Sequence, residues 1–131
     1  MKFQPDTLAG INHITHADAA GLRVNGVAWT GSVVVPWSGA VRPWGRHAPL
    51  HSAADLLPSH FDELLDLEPE VVIFGSGARL RFVSPALYRG LIERRIGIET
   101  MDSAAACRTY TVLANEGRRA VAALLFGPAT A

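Results

Sequence analysis

The chain has 131 residues, of which 49% are hydrophobic and 18% charged, so a disordered tail or a low-complexity linker is excluded. Twelve basic and twelve acidic side chains cancel to a formal net charge of zero. Because nucleic-acid-binding proteins normally carry a basic excess, the composition does not support that class.

The length is typical of a single domain, which we predict over residues 1–131. Its one cysteine, Cys107, excludes an internal disulfide framework and any multi-cysteine metal site. No apolar run approaches the ~20 residues of a membrane-spanning helix, and the N-terminus lacks the pattern of a secretory signal. We therefore expect a cytoplasmic protein without membrane insertion.

The first third of the chain predicts antiparallel β-structure. Asn25-Gly26 is a favoured hairpin turn, because both residues tolerate a positive φ. It joins an alternating run at residues 22–24 to the stretch at residues 27–35, which we predict as one longer strand.

A loop and a short helix are predicted next. Residues 36–58 are punctuated by Pro and Gly and read as a loop. Ser59 then resembles an N-cap, and Phe61 and Leu64 share the apolar face of the helix that follows.

The second half predicts alternating strands and helices, and therefore an α/β fold with a βαβαβ core. The predicted elements are a buried strand at 71–74, a helix capped by Ser84 that buries Leu91 and Ile92, a strand at 96–100, a helix capped by Asp102 or Ser103, and a strand at 120–126. Right-handed crossovers bring the loops after Phe74 and Thr100 to one edge of the sheet, where α/β proteins usually bind ligands.

Gly75-Ser76-Gly77 follows the first of these strands and admits three readings. It could be an ordinary turn, a backbone-lined site for a small anion, or a nucleotide-binding turn. The dinucleotide fingerprint requires a third glycine where Leu80 stands, and no lysine of a P-loop is present, so the nucleotide reading is the least favoured.

Cys107 and Arg108 are the candidate functional residues of the last predicted helix. Cys107 is either a buried core thiol or a nucleophile activated by the helix start and Arg108. Arg108 either pairs with Asp102 or Glu99 or holds an anionic ligand at the sheet edge.

The histidines and tryptophans give weaker signals. His47 and His51 have helical spacing, but Pro49 lies between them, so we predict no metal site and no cofactor. Two Pro-Trp pairs place Trp37, Arg42 and Trp44 in one loop, where they either cover the β region or form a surface for a partner protein or self-association.

Two stretches of the second half resemble the MTH938-like family, formerly a domain of unknown function. Residues 69–77 (PEVVIFGSG) are similar to its strand with a Gly-Thr-Gly turn, with Ser76 replacing the usual Thr. Residues 98–110 (IETMDSAAACRTY) are similar to its second signature, after which Thr111 stands where Asn is usual. The likeness is strong over residues 69–126 and general over the N-terminal strands.

The resemblance implies a three-layer α/β fold with a mixed sheet and a function in binding. Its eukaryotic relatives include a mitochondrial assembly factor for respiratory complex I, and no catalytic residues are known that could be transferred. We therefore expect a non-enzymatic protein-binding or assembly-factor-like module whose working surface is the sheet edge formed by residues 75–77 and 100–108. The alternative is an enzyme or small-anion-binding protein that uses the sheet edge, with the following residues: Gly75, Ser76, Gly77, Thr100, Asp102, Cys107 and Arg108.

Overall fold

Two β-sheets and three α-helices, with short 3-10 turns between them, make up the fold in the computed structural model, which describes residues 10–46 and 50–127. A three-stranded antiparallel sheet has the order β1-β2-β3, and a five-stranded sheet has the order β5-β4-β8-β6-β7. The strands are β1 (Ile14–Ala17), β2 (Gly21–Val24), β3 (Val27–Thr30), β4 (Val33–Pro36), β5 (Arg42–Pro43), β6 (Val71–Gly75), β7 (Gly97–Met101) and β8 (Ala120–Leu124). The helices are α1 (Pro58–Asp62), α2 (Arg89–Glu93) and α3 (Ser103–Asn115).

The larger sheet contains the predicted βαβαβ core. β6 lies between β8 and β7 and is parallel to both, so Val72 is paired with Val121 on one side and with Ile98 on the other. β4 is antiparallel to β8 and carries the short strand β5 on its outer side. The sheet is therefore mixed, and the predicted α/β class is confirmed.

Both faces of the central strand β6 are covered, which gives three layers. Val71 and Ile73 pack on one side with α3 and the three-stranded sheet. Val72 and Phe74 pack on the other side, in the apolar layer that contains Phe61 of α1 and its neighbours. Burial on both faces explains why the strand reads as an unbroken apolar run.

The hairpin at Asn25-Gly26 is confirmed, since the two residues have φ values of +53° and +83°. The prediction of one strand over residues 27–35 is wrong. Gly31, with φ at +81°, turns the chain, and the Ser32 hydroxyl donates to the Leu50 carbonyl at 2.7 Å. The chain thus leaves one sheet after β3 and enters the other with β4.

The helix caps agree only in part with their prediction. The Asp102 carboxylate accepts a hydrogen bond from the Ala105 N–H at 2.8 Å, so it caps α3. Helix α1 starts at Pro58, before the predicted cap Ser59. The prediction that Ile92 is buried is wrong, since Ile92 is 52% exposed and the buried residue of α2 is Leu91.

Trp44 belongs to the core, and its prediction as a partner-surface residue is wrong. Its side chain is only 2% exposed, and its indole N–H donates to the His60 carbonyl at 3.0 Å. The rings of Phe61 and Phe74 meet it edge-on, with centroids 5.6 and 5.9 Å away. A large ring with a satisfied N–H is stabilised by this burial and is not available to a partner.

Arg42 is also engaged within the chain. Its guanidinium donates to the Glu63 carbonyl at 2.8 Å and lies 3.3 Å from the Asp66 carboxylate. Trp37 is half-buried, and its carbonyl accepts the Asn12 N–H at 3.0 Å. The contacts of Trp37, Arg42 and Trp44 are therefore made within the chain.

The described residues contain no helix with both the length and the apolar character needed to cross a membrane. The predicted single domain also includes residues 1–9, 47–49 and 128–131, which lie outside the described ranges. His47 and Pro49, on which the prediction of no metal site depends, are among these residues. The prediction of one domain over the whole chain stays a prediction.

We predict that Tyr110→Phe destabilises the fold by about 1–2 kcal/mol, because it removes a buried hydrogen-bond donor. The Tyr110 hydroxyl donates to the Asn12 carbonyl at 2.8 Å and joins α3 to the N-terminal segment, and burial raises the pKa of this phenol. Urea unfolding measures the change. Tyr88→Phe is the matched control, since that hydroxyl has no hydrogen bond among the described residues, and an equal loss in both variants would contradict the prediction.

Candidate functional site

The carboxyl ends of β6 and β7 open at one edge of the sheet, where Ser76 fixes the loop between them. The Ser76 N–H donates to the Met101 carbonyl at 2.8 Å. The Ser76 hydroxyl donates to the Arg79 carbonyl at 2.6 Å and accepts the Arg81 N–H at 2.9 Å. Ser76 is only 7% exposed, and its hydroxyl is already hydrogen-bonded within the loop. Little hydrogen-bonding capacity of this hydroxyl therefore remains for a ligand.

Ser103, the first residue of α3, joins the ends of three strands. Its N–H donates to the Gly77 carbonyl at 2.8 Å, and its hydroxyl accepts the Gly77 N–H at 2.9 Å. The same hydroxyl donates to the Leu125 carbonyl at 2.7 Å, just after β8. This buried residue therefore sets the position of the helix start against the sheet edge.

The contacts of Ser103 require glycine at both glycine positions of the Gly-Ser-Gly turn. A Cβ on Gly75 would lie 2.8 Å from the Ser103 hydroxyl and 2.9 Å from the Ser103 Cα, so any larger residue would push α3 away. Gly77 has φ at +106°, which L side chains rarely adopt. Close packing and turn geometry thus account for both glycines.

A cavity of about 710 Å³ lies beside this turn. That volume is within the usual range for small-molecule sites. Its apolar lining includes Ala19, Ala20, Leu125 and Phe126, and its charged or titratable lining includes Asp18, His51, Arg79, Arg81 and Asp102.

The charges that line the cavity do not favour anions over cations. Arg79 and Arg81 are balanced by the carboxylates of Asp18 and Asp102. At the start of α3, the N–H groups of Ser103, Ala105 and Ala106 already donate within the chain. Because Asp102 caps the helix, few donors remain at this end for an anion.

Two exposed carboxylates hold backbone turns around the cavity. Hydrogen bonds from the backbone N–H groups of Ala20 and Gly21 lower the pKa of Asp18, and those of His51 and Ser52 lower the pKa of Asp55. Since the folded pKa lies below the unfolded one, these contacts stabilise the fold above the unfolded pKa. The stabilisation is lost as the pH falls through the folded pKa.

Cys107 and Arg108 lie in a different place from the rest of the predicted site. They line an open groove of about 390 Å³ between α3 and β1, together with Ile14 and Thr111, and neither lines the cavity beside Gly77. Arg108 is exposed, and the described residues include no ion pair between it and Asp102 or Glu99. The structure thus separates the thiol and this arginine from the turn.

The environment of Cys107 opposes a nucleophilic role. The thiol is 5% exposed, and burial raises its pKa to about 11, with only partial opposition from the Arg108 charge. A thiol that is almost fully protonated at neutral pH is a poor nucleophile. Within residues 10–46 and 50–127, no three His, Cys, Asp or Glu side chains converge as metal ligands would.

The cavity lining differs from the predicted site at Thr100, Asp18 and His51. Thr100 is a half-buried residue of β7 and does not line the cavity. Asp18 and His51 do line it, but they come from loops far from the sheet edge in sequence, and no local pattern signals this. Ser103, which the sequence indicates only as an alternative cap, also lines the cavity, and its hydroxyl at a helix start after a strand is the signal for that position.

Similarity to known proteins extends over most of the chain. The family described as "Protein of unknown function (DUF498/DUF598)" matches residues 14–125. A crystal structure from Bordetella parapertussis is 33% identical, with a TM-score of 0.81, and covers 91% of this chain and 98% of its own. A solution structure from Bordetella pertussis, described as a Mth938-like domain, is 29% identical with a TM-score of 0.77 and covers 98% and 94%.

A curated relative has a described role. The Bos taurus protein named NADH dehydrogenase (ubiquinone) 1 alpha subcomplex assembly factor 3 is 35% identical over 79 residues. The match includes 59% of this chain and 43% of the bovine protein. The chain therefore spans less than half the length of that relative.

We predict that Cys107 reacts slowly with iodoacetamide in the folded protein at pH 7, because the thiol is buried and protonated. Mass spectrometry of the alkylated protein should show labelling at least ~10-fold faster after unfolding in urea. Rapid labelling of the native protein, at the rate of the unfolded chain, would restore the nucleophile hypothesis.

Proposed function

The chain belongs to the DUF498/DUF598 family of proteins of unknown function, and from that membership we propose that it is a non-enzymatic, assembly-factor-like protein that binds other proteins. The similarity to a complex I assembly factor supports a role of this kind. Because the chain spans less than half of that relative, the identity of its partners is not carried over.

The structural observation that carries the proposal is an exposed apolar pair at the sheet edge. Leu80 is 53% exposed and Phe82 is 75% exposed, both in the loop that follows the Gly-Ser-Gly turn. Large side chains this open to water are typical of protein contact sites when they lie together. We call Leu80 and Phe82 the apolar loop pair.

Successive side chains of residues 79–82 alternate between the cavity and the surrounding water. Arg79 and Arg81 line the cavity, whereas Leu80 and Phe82 do not. The Ser76 hydroxyl bonds the backbone of both arginine positions, so the loop is held in place while the apolar loop pair faces water. A partner would meet apolar side chains on a pre-ordered loop, which lowers the entropic cost of binding.

Catalysis is less well supported by the same geometry. The protonated thiol of Cys107 lies in a separate groove, and the Ser76 hydroxyl is engaged by its own loop. A nucleophile with an adjacent base is the usual requirement for covalent catalysis.

We predict that the double substitution Leu80→Ser, Phe82→Ser abolishes or strongly reduces partner binding with little loss of stability, since both side chains are exposed. Tagged protein is used to capture partners from lysate of the source organism, and retained proteins are quantified by mass spectrometry. Truncating an interface anchor typically weakens binding by ~2 kcal/mol or more, about 30-fold.

The matched control is Val27→Ser, Val112→Ser, which removes two apolar side chains that are 59% and 56% exposed on other parts of the surface. This control should retain the same partners as the native chain. Equal capture by both double variants, or capture of nothing by the native chain, would contradict the proposal.

We also propose a second function, the binding of a small molecule in the cavity of about 710 Å³. The apolar lining from Leu125 and Phe126 and the polar groups of Arg79 and Asp102 suit a compact ligand with an apolar body and polar ends. The expectation of a small anion is thereby broadened to a ligand with either sign of charge.

A thermal-shift panel of inorganic phosphate, small carboxylic acids and amino acids tests the cavity. A true ligand at ~100 times its Kd should raise the Tm by about 5–10 °C. The rise should be lost in Arg79→Gln, Arg81→Gln and kept in the control Arg89→Gln, Arg94→Gln, which alters exposed residues outside the cavity lining. A panel without any shift, or shifts that are equal in both variants, would reject the cavity as a site for these compounds.

A further inference from the structure

β7 forms a lateral edge of the five-stranded sheet, which is distinct from the edge at the carboxyl ends of the strands described above. β7 is the last strand of the five-stranded sheet and pairs with β6 alone among the described strands. It is five residues long, and its residues are exposed or half-buried. Open edges present unpaired backbone groups to which another extended chain can add.

The hydrogen-bond pattern shows which backbone groups are available. The Gly97 N–H donates to the Glu70 carbonyl at 3.2 Å, and the Met101 carbonyl accepts the Ser76 N–H at 2.8 Å. In a parallel ladder every second residue bonds to the same neighbour, so Gly97, Glu99 and Met101 bond toward β6. The N–H and C=O groups of Ile98 and Thr100 are therefore directed to the open side.

Glu99 stands between these two residues and governs what can pair with them. It is exposed, and no ion pair within residues 10–46 and 50–127 involves it. Directly opposed like charges destabilise a strand pair, whereas opposite charges stabilise it.

A second copy of the chain is disfavoured at this edge. In a symmetric antiparallel pair that uses both open residues, Ile98 of one copy would face Thr100 of the other. Glu99 would then face Glu99 at a pair without hydrogen bonds, where Cα atoms are only ~4.5 Å apart. The charge therefore acts against self-pairing and leaves the edge open for a different strand.

We propose that the β7 edge binds an extended segment of a partner protein as a sixth strand, with a lysine or arginine opposite Glu99. The free backbone groups of Ile98 and Thr100 supply the hydrogen bonds, and Glu99 supplies the selectivity. This form of binding is strand addition, in which the backbone gives affinity and the side chains give specificity. The proposal rests on protein binding as the proposed function and names how one segment of the partner is held.

The test uses the 15N-labelled full chain and a capped synthetic peptide, Thr-Val-Lys-Val-Thr, so that it does not depend on finding the partner. In the free protein, the amides of Ile98 and Thr100 should exchange with solvent much faster than those of Glu99 and Met101. At millimolar concentration the peptide should shift the NMR signals of Ile98 and Thr100 first. It should bind about fivefold more tightly than Thr-Val-Glu-Val-Thr, as expected for a cross-strand charge pair.

Two variants make the result specific. Thr100→Pro removes one outward N–H without touching the bonds to β6 and should abolish peptide binding, whereas the control Thr100→Val keeps the N–H and should bind. Glu99→Lys should reverse the preference, so that the Glu peptide binds better than the Lys peptide.

Protected amides at Ile98 and Thr100, shifts without preference between the peptides, or no shifts at all would each overturn the proposal. The Glu99→Lys result decides it even where Thr100→Pro fails to fold. Failure here would leave the test of the apolar loop pair unaffected, since that test measures capture of whole partners through Leu80 and Phe82.

Discussion

The pair of hydrogen bonds between Ser103 and Gly77 determines the geometry of the whole sheet edge. Ser103 gives its N–H to the Gly77 carbonyl and takes the Gly77 N–H on its hydroxyl, at 2.8 and 2.9 Å. With the further bond to the Leu125 carbonyl, the side chain connects the loop after β6, the start of α3 and the end of β8. These contacts need Gly75 to be glycine, because a Cβ there would lie 2.9 Å from the Ser103 backbone.

This position of the helix start explains why the residues with reactive chemistry are dispersed. Cys107 is four residues beyond Ser103, slightly more than one helical turn or ~6 Å along the axis. It therefore lies on the same buried face but next to β1, away from the edge that holds Ser76. The residues at the carboxyl ends of β6 and β7 are turn glycines, the cap of α3 and hydroxyls that hydrogen-bond within the chain. Their contacts stabilise the fold.

Local chemistry predicted the elements well, and long-range packing decided what it missed. Asn25-Gly26 and Asp102 adopt their predicted roles, because turns and caps depend on a few neighbouring residues. The stretch at residues 27–35 contains a change of sheet at Gly31 that its strand-forming residues do not signal, since both halves favour β-structure. Trp44 was ambiguous because indole suits a partner surface and a core equally, and only the rings packed around it settle the matter.

The structure brings only some of the predicted site residues to the cavity at the carboxyl ends of the parallel strands. Parallel strands with right-handed crossovers fix where β6 and β7 end, so Ser76, Gly77 and Asp102 were found near the cavity. Asp18 and His51 reach it from distant loops, which the order of the elements does not specify.

Charge and exposure together favour binding of proteins over tight binding of an anion at this edge. The chain has no net charge, and the cavity repeats that balance, with Arg79 and Arg81 beside Asp18 and Asp102. A neutral cavity gives an anion little long-range attraction, since that attraction grows with uncompensated charge. Leu80 and Phe82 expose apolar surface beside the cavity opening but outside its lining, and the removal of that surface from water would stabilise a complex at ~25 cal/mol per Å² of buried surface. What the loop exposes to water is therefore better matched to another protein's surface than to a small charged molecule.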